Sequence, residues 1–220
     1  MIIQISKRTS LLLLIFIVLG IYFPAIFAPI SSIDDPGMYS YLLNTDNFTI
    51  RNIFYTGGGN YYRPILVVSY MMDKYVWGLE ESFMHLENIV FHLLNVLLVF
   101  AIAQKAALLQ GIRSGIVPLI AALFFAIHPL NTEVVAWIAG RTDLLAGFFL
   151  FFSVWLLLRQ PTNYALTLLA AFSMLVACLA KETAIFFLPA AMIIPYFIHG
   201  LLSAWSSSDS TAPIEGVVFN

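Results

Sequence analysis

Residues 84–104 read MHLENIVFHLLNVLLVFAIAQ. A helix crossing a bilayer needs about 20 mostly apolar residues, and this stretch supplies them with Glu87 as its one acid and no Lys or Arg. Its polar residues are ordered. His85, Asn88, His92 and Asn95 follow one another at steps of three, four and three, which draws a continuous stripe along one helix face, with Glu87 off the stripe. Polar side chains inside a membrane require partners or a wet cavity. The stripe is therefore either a cavity wall or a row of interhelical hydrogen bonds. Two histidines seven apart are a weak metal signal, and no metal site is assigned to them.

The rest of the chain has the same character. Of 220 residues, 61% are hydrophobic and 10% charged, against roughly a quarter charged in soluble domains. So much apolar side chain exceeds what a soluble core of this size can hide, and the bilayer must solvate it. A net charge of −2 gives no pointer to nucleic acid, and the single cysteine, Cys178, excludes an internal disulfide. There is no Walker loop, dinucleotide-binding glycine fingerprint, Gly-x-Ser-x-Gly or HExxH, which disfavours an ATPase, a classical oxidoreductase, a serine hydrolase and a zinc protease.

Working outward, spans are expected near 9–29, 84–104, 116–131, 142–158, 164–180 and 183–202, about six in all. The expected fold is thus all-α, a polytopic transmembrane helix bundle over residues 1–202, followed by a polar, Ser-rich tail at 203–220. Lys7 and Arg8 precede the first run, and Ile26 and Ala28 make a poor leader cleavage site, so a retained first span is expected over a cleaved leader. Residues 31–83 form a long external loop rich in Tyr, Asn and Gly, with interfacial helices anchored by Tyr61, Tyr62, Tyr75 and Trp77. With the basic N-terminus inside, the connectors carrying Lys105, Arg113 and Arg159 also fall inside.

Alternating spans gather four segments on one face: Asp34-Asp35, the His128 to Glu133 connector, Arg141 to Asp143, and Lys181-Glu182. Asp34 and Asp35, in Ile33-Asp34-Asp35-Pro36-Gly37, suit either a turn or a carboxylate that deprotonates a hydroxyl or binds a cation. Pro129 ends or bends the third span, and Thr132-Glu133 is a start signal for the next helix. Arg141 follows Glu133 by a little over two turns, suited to a structural network with Asp143 or to phosphate, since its planar fork offers paired donors. Lys181-Glu182 is an ion pair wedged between apolar runs, costly unless it is used or well paired. Arg63 in Tyr62-Arg63-Pro64 is a further anion ligand or a snorkelling headgroup anchor, and Pro64 suits a helix start.

Taken in order, these motifs resemble a known family. The acidic pair is followed by Tyr62-Arg63-Pro64, by Phe91-His92-Leu93-Leu94-Asn95-Val96, by His128-Pro129-Leu130-Asn131-Thr132-Glu133-Val134-Val135-Ala136 with Gly140-Arg141-Thr142-Asp143-Leu144-Leu145-Ala146, and by Lys181-Glu182-Thr183. The set is similar to the N-terminal membrane half of the transmembrane and tetratricopeptide-repeat O-mannosyltransferases, of the GT-C glycosyltransferase superfamily, over roughly residues 9–200. The resemblance implies a polyprenyl-phosphate-sugar donor, a hydroxyl acceptor on protein (Ser or Thr) or glycan, and chemistry at the non-cytoplasmic face of a bacterial inner or ER-type membrane. It implies Asp34 or Asp35 as the catalytic carboxylate. Arg141, Lys181 and Arg63 are then candidates for the donor phosphate or sugar, Glu133 and Glu182 for orienting Arg141 and Lys181, and His128, Asp143, His92 and Asn95 for support. No metal is obligatory, although a divalent cation is compatible. Such enzymes usually have more spans, and many carry a repeat domain, so a partner subunit or a missing C-terminal half is expected. Two rivals are a lipid or solute transporter, against which no broken helix pair repeats between halves, and a non-catalytic assembly subunit.

Overall fold

The computed structural model describes residues 5–29, 53–54, 62–112, 114–159, 163–190, 193 and 200. Among them every regular element is helical. Helix α1 (Lys7–Tyr22) starts at Ser6, whose side chain accepts from the Thr9 N–H, and runs on as a 3-10 turn over Phe23–Phe27. Then come α2 (Pro64–Trp77), α3 (Glu81–Leu109), α4 (Ile116–Ala126), α5 (Pro129–Ala136), α6 (Arg141–Arg159) and α7 (Tyr164–Ala180), with 3-10 turns at Ile138–Gly140 and Glu182–Phe187.

Three segments are long and apolar enough to cross a membrane: Lys7–Phe27, Glu81–Leu109 and Ile138–Arg159, with mean hydropathies of 2.6, 2.0 and 1.6. Helices α4 and α5 make a fourth if they count as one span, bent by 56°. Helix α7 is apolar but shorter, at 17 residues. The chain is an all-α membrane protein. Its outer surface agrees, since Phe16, Phe124, Leu168 and Phe172 are all well exposed. The core lies between α1, α3 and α4, where Leu14 and Val18 pack with Ile89, Val96, Phe100 and Ala122.

The third span ends before His128-Pro129, as the proline led one to expect, because Pro129 has no N–H to continue the ladder. The next helix begins there and not at Thr132-Glu133; His128 is its cap, with Nδ1 accepting from the Leu130 N–H at 3.3 Å. The span expected at 183–202 opens as the 3-10 turn Glu182–Phe187, and most of its remainder lies outside the described residues.

The stripe on α3 answers these breaks. A broken helix leaves carbonyls without their usual partners, and in a membrane they must find others. Asn88 Nδ2 donates to the Trp137 carbonyl at 2.8 Å, His92 Nε2 meets the Ala126 carbonyl at 3.2 Å, and Asn95 Nδ2 donates to the Leu144 carbonyl at 3.0 Å. Tyr22 Oη donates to the same Ala126 carbonyl at 3.0 Å. All four stripe residues are buried. His92 and Asn95 thus bind the bundle together from within.

Helix α2 lies within residues 31–83, where interfacial helices were expected. Pro64 opens it, and Gly78 closes it in the left-handed region with its N–H on the Asp73 and Lys74 carbonyls. Leu79 follows at φ 63, a conformation costly for a side-chain-bearing residue. Its side chain is buried among Tyr70, Met84 and Ile138, which holds the reversal into α3. Helix α3 is about 44 Å long at 1.5 Å per residue, against a hydrocarbon core of roughly 30 Å. Helix α2 packs against the first turns of α3.

Candidate functional site

One end of the bundle collects the ends of α1, α4 and α7, the starts of α3 and α6, and helix α2. The polar machinery there has two parts, a buried centre and an exposed rim.

Arg141 is the centre. Gly140 before it lies so close to Val134 that an added Cβ would sit 2.3 Å from the Val134 carbonyl oxygen, so only glycine allows this tight passage from α5 to α6. Arg141 itself is fully buried. Its Nε donates to Asn88 Oδ1 at 3.0 Å, and one terminal nitrogen donates to the Met84 carbonyl at 2.8 Å. The other forms an ion pair with Asp73, also fully buried, and lies 3.2 Å from Glu87 Oε2. The Tyr70 ring lies beneath the guanidinium, 5.0 Å from its centroid, while Tyr70 Oη donates to the Ile138 carbonyl at 3.1 Å. Trp77 Nε1 donates to Glu87 Oε1 at 2.8 Å. Burial pushes the Asp73 carboxyl up to about 7 against the pull of Arg141, and the neighbouring Glu87 adds to the rise.

Two expected roles look different here. Arg141, expected at the donor phosphate, is fully buried with its fork engaged by the protein. Its carboxylates are Asp73 and Glu87; Glu133, expected to orient it, is exposed on α5.

The rim carries the other two cations. Arg63, the residue before Pro64, grips Glu182 with two bonds, Nε to Oε2 at 2.9 Å and Nη2 to Oε1 at 2.5 Å. Lys181 Nζ reaches Asp143 Oδ1 at 2.5 Å. The acids are the more open partners: Glu182 and Asp143 side chains are 50% and 44% exposed, against 20% and 23% for Arg63 and Lys181. The Arg63 hydrogen bond holds the Glu182 carboxyl at about 2, well below its ordinary range. Glu182 pairs with Arg63, whereas the sequence reading had matched it with Lys181, whose partner here is Asp143. Local structure explains the placement. Asp143 lies in the first turn of α6, where a helix favours an acid, and Lys181 is the extended residue that closes α7. Ten residues of α2, about 15 Å, separate Arg63 at the rim from Asp73 at the centre, so the buried ion pair anchors the helix that presents Arg63.

The remaining candidates fall as follows. His128 caps α5 and packs edge-on to Phe124, at 5.3 Å between ring centroids. Asp34 and Asp35 lie outside the described residues, five and six positions after Pro29 in sequence. A cavity of about 490 Å³ opens between the end of the Phe23–Phe27 turn and the start of α3, lined in part by Phe27, Pro29, Leu79, Glu80 and Glu81. Among the described residues its charged lining is acidic. Sequence reasoning missed Asp73 and left Glu87 aside. The signal for Asp73 was one acid in an otherwise apolar helix, among Tyr70, Met71, Met72 and Val76.

Known proteins bear on this arrangement. The chain is 33% identical over 147 residues to protein O-mannosyl-transferase Tmtc1 of Drosophila melanogaster, covering 62% of this chain and 16% of that protein. The chain is thus similar, over part of its length, to protein O-mannosyl-transferases of the TMTC group. It is 33% identical over 85 residues to protein O-mannosyl-transferase TMTC1 of Mus musculus, covering 39% of this chain and 9% of that protein. It is 37% identical over 101 residues to TMTC4 of Homo sapiens, covering 42% and 14%. The chain therefore spans at most 16% of the length of these curated relatives. No family model matches it, and no solved structure matches it significantly.

Proposed function

We propose that the chain is the multi-pass membrane part of a GT-C-type glycosyltransferase. It moves a sugar, mannose by the relatives' names, from a polyprenyl-phosphate donor to a protein Ser or Thr hydroxyl at the non-cytoplasmic face. The observation that carries this reading is the rim: two cations, Arg63 and Lys181, drawn from opposite ends of the sequence to one end of the bundle, each held by a partly exposed acid. A monophosphate leaving group needs positive charge of this kind.

In the proposed reaction Asp34 or Asp35 takes the proton of the acceptor hydroxyl. The oxygen attacks the anomeric carbon, the bond from that carbon to the phosphate oxygen breaks with inversion, and the lipid monophosphate leaves. Arg63 and Lys181 counter the charge that grows on it. Arg141 takes no part except through α2. The reaction has no obligatory metal requirement. A partner subunit or further chain completes the acceptor side.

The test is transfer of radiolabelled mannose from polyprenyl-phosphate-mannose to protein, in membranes expressing the chain or its Asp34→Asn/Asp35→Asn double variant. Label that disappears in the double variant supports the reading. Equal label from both removes the acidic pair from the reaction.

A further inference from the structure

Glu182 is an unusual neighbour for a cation meant for phosphate. It is not a distant counter-charge. Both of its oxygens meet two nitrogens of the Arg63 fork, at 2.9 and 2.5 Å. That is the geometry in which an arginine receives two oxygens of a phosphate group. The Arg63 stem and head are mostly sheltered while half of the Glu182 side chain faces outward. Lys181, the second cation, adjoins Glu182 in sequence and is engaged by Asp143. The fork is thus fixed in place, and what occupies it is the more exposed partner of a bidentate, partly exposed pair.

We propose that Glu182 is a built-in stand-in for the donor phosphate, which holds the Arg63 fork and leaves it when the phosphate group arrives. The proposal rests on the reading of Arg63 as a donor-phosphate ligand. The exchange moves no covalent bond: two charge-assisted hydrogen bonds to carboxylate are replaced by two to phosphate, and Glu182 turns toward solvent. The arrangement keeps an arginine paired at the membrane boundary between turnovers, where an unpaired cation would collect phospholipid headgroups or abandon its geometry. It also makes an unusual prediction, because loss of a residue in the site tightens ligand binding.

The experiment measures binding of farnesyl monophosphate to the full chain purified in detergent, for wild type, Glu182→Gln, Glu182→Asp and Arg63→Ala. Glu182→Gln is expected to bind about fivefold more tightly, the size set by removal of one competing exposed ion pair. Glu182→Asp keeps the charge but is a methylene too short to fill the fork, and it is expected to tighten binding as well. Inorganic phosphate is expected to bind more weakly overall with the same gains, because the contest is for the phosphate group itself. Weaker binding by Glu182→Gln would overturn the proposal by making Glu182 an orienting partner. Wild-type affinity in Glu182→Asp would overturn it by reducing the effect to net charge. A gain for farnesyl monophosphate without one for inorganic phosphate would place the effect on the lipid and overturn it too. Arg63→Ala separates this proposal from the one beneath it: unchanged binding there removes Arg63 from the donor site altogether, whereas lost binding with no gain in the Glu182 variants defeats the stand-in alone.

Discussion

Arg141 and Arg63 have the same side chain in two settings. Arg141 is sealed among Asp73, Glu87, Asn88, Met84 and Tyr70, with every face of its fork engaged by the protein. Arg63 is held by Glu182, and the side chain of that partner is half exposed. The difference separates two uses of an arginine near a membrane boundary. A buried, fully partnered guanidinium ties elements together, here α2, α3 and α6. A rim guanidinium with an exchangeable carboxylate is positioned to receive something. Proximity to an active face does not tell these apart, but the partners do.

Variants that break the comparison should differ most in stability. At a pH above the Asp73 value of about 7, Arg141→Met leaves a buried carboxylate without its counter-charge and is expected to cost about 3–5 kcal/mol, seen as a large fall in the thermal unfolding midpoint in detergent. Gly140→Ala drives a methyl group into the Val134 carbonyl and is expected to cost about 1–3 kcal/mol by the same assay. Arg63→Ala removes a partly exposed pair and should cost less than about 1 kcal/mol.

The smallest effect is one of sign. Asp73 is raised to about 7 from 3.8, so the native state holds a proton that the unfolded chain releases. Its contribution is full below the ordinary value and is lost as pH rises through 7. Glu182 is lowered to about 2 from 4.5, so its contribution is full above 4.5 and is lost as pH falls toward 2. Thermal midpoints measured from pH 4 to pH 7 should therefore fall as pH rises, and Asp73→Asn should flatten that slope. A slope that persists in Asp73→Asn would assign it to another group.

Much of this architecture was legible in the chain, for reasons that differ by residue. The span at 84–104 and its stripe could be read because helical periodicity is local, although only the structure shows that His92 answers the carbonyl freed at Ala126 and that Asn95 reaches the Leu144 carbonyl inside α6. Pro64 as a helix start and the break at Pro129 followed from the missing N–H alone. The gathering of Arg141, Lys181 and Arg63 at one end followed from alternation of spans. Their pairing did not, because which acid meets which cation depends on the packing angles of α2, α6 and α7, and no spacing rule encodes those. Asp73 was overlooked for the same reason. It lies 68 positions from Arg141 in sequence, and their contact exists only once α2 folds back on the bundle.

The most direct test of the account is the initial rate of mannose transfer by Arg63→Ala, with its thermal midpoint taken on the same preparation. The account predicts a rate lower by about a hundredfold to a thousandfold with a midpoint close to wild type. A full rate, or a midpoint that drops as far as that of Arg141→Met, would contradict it.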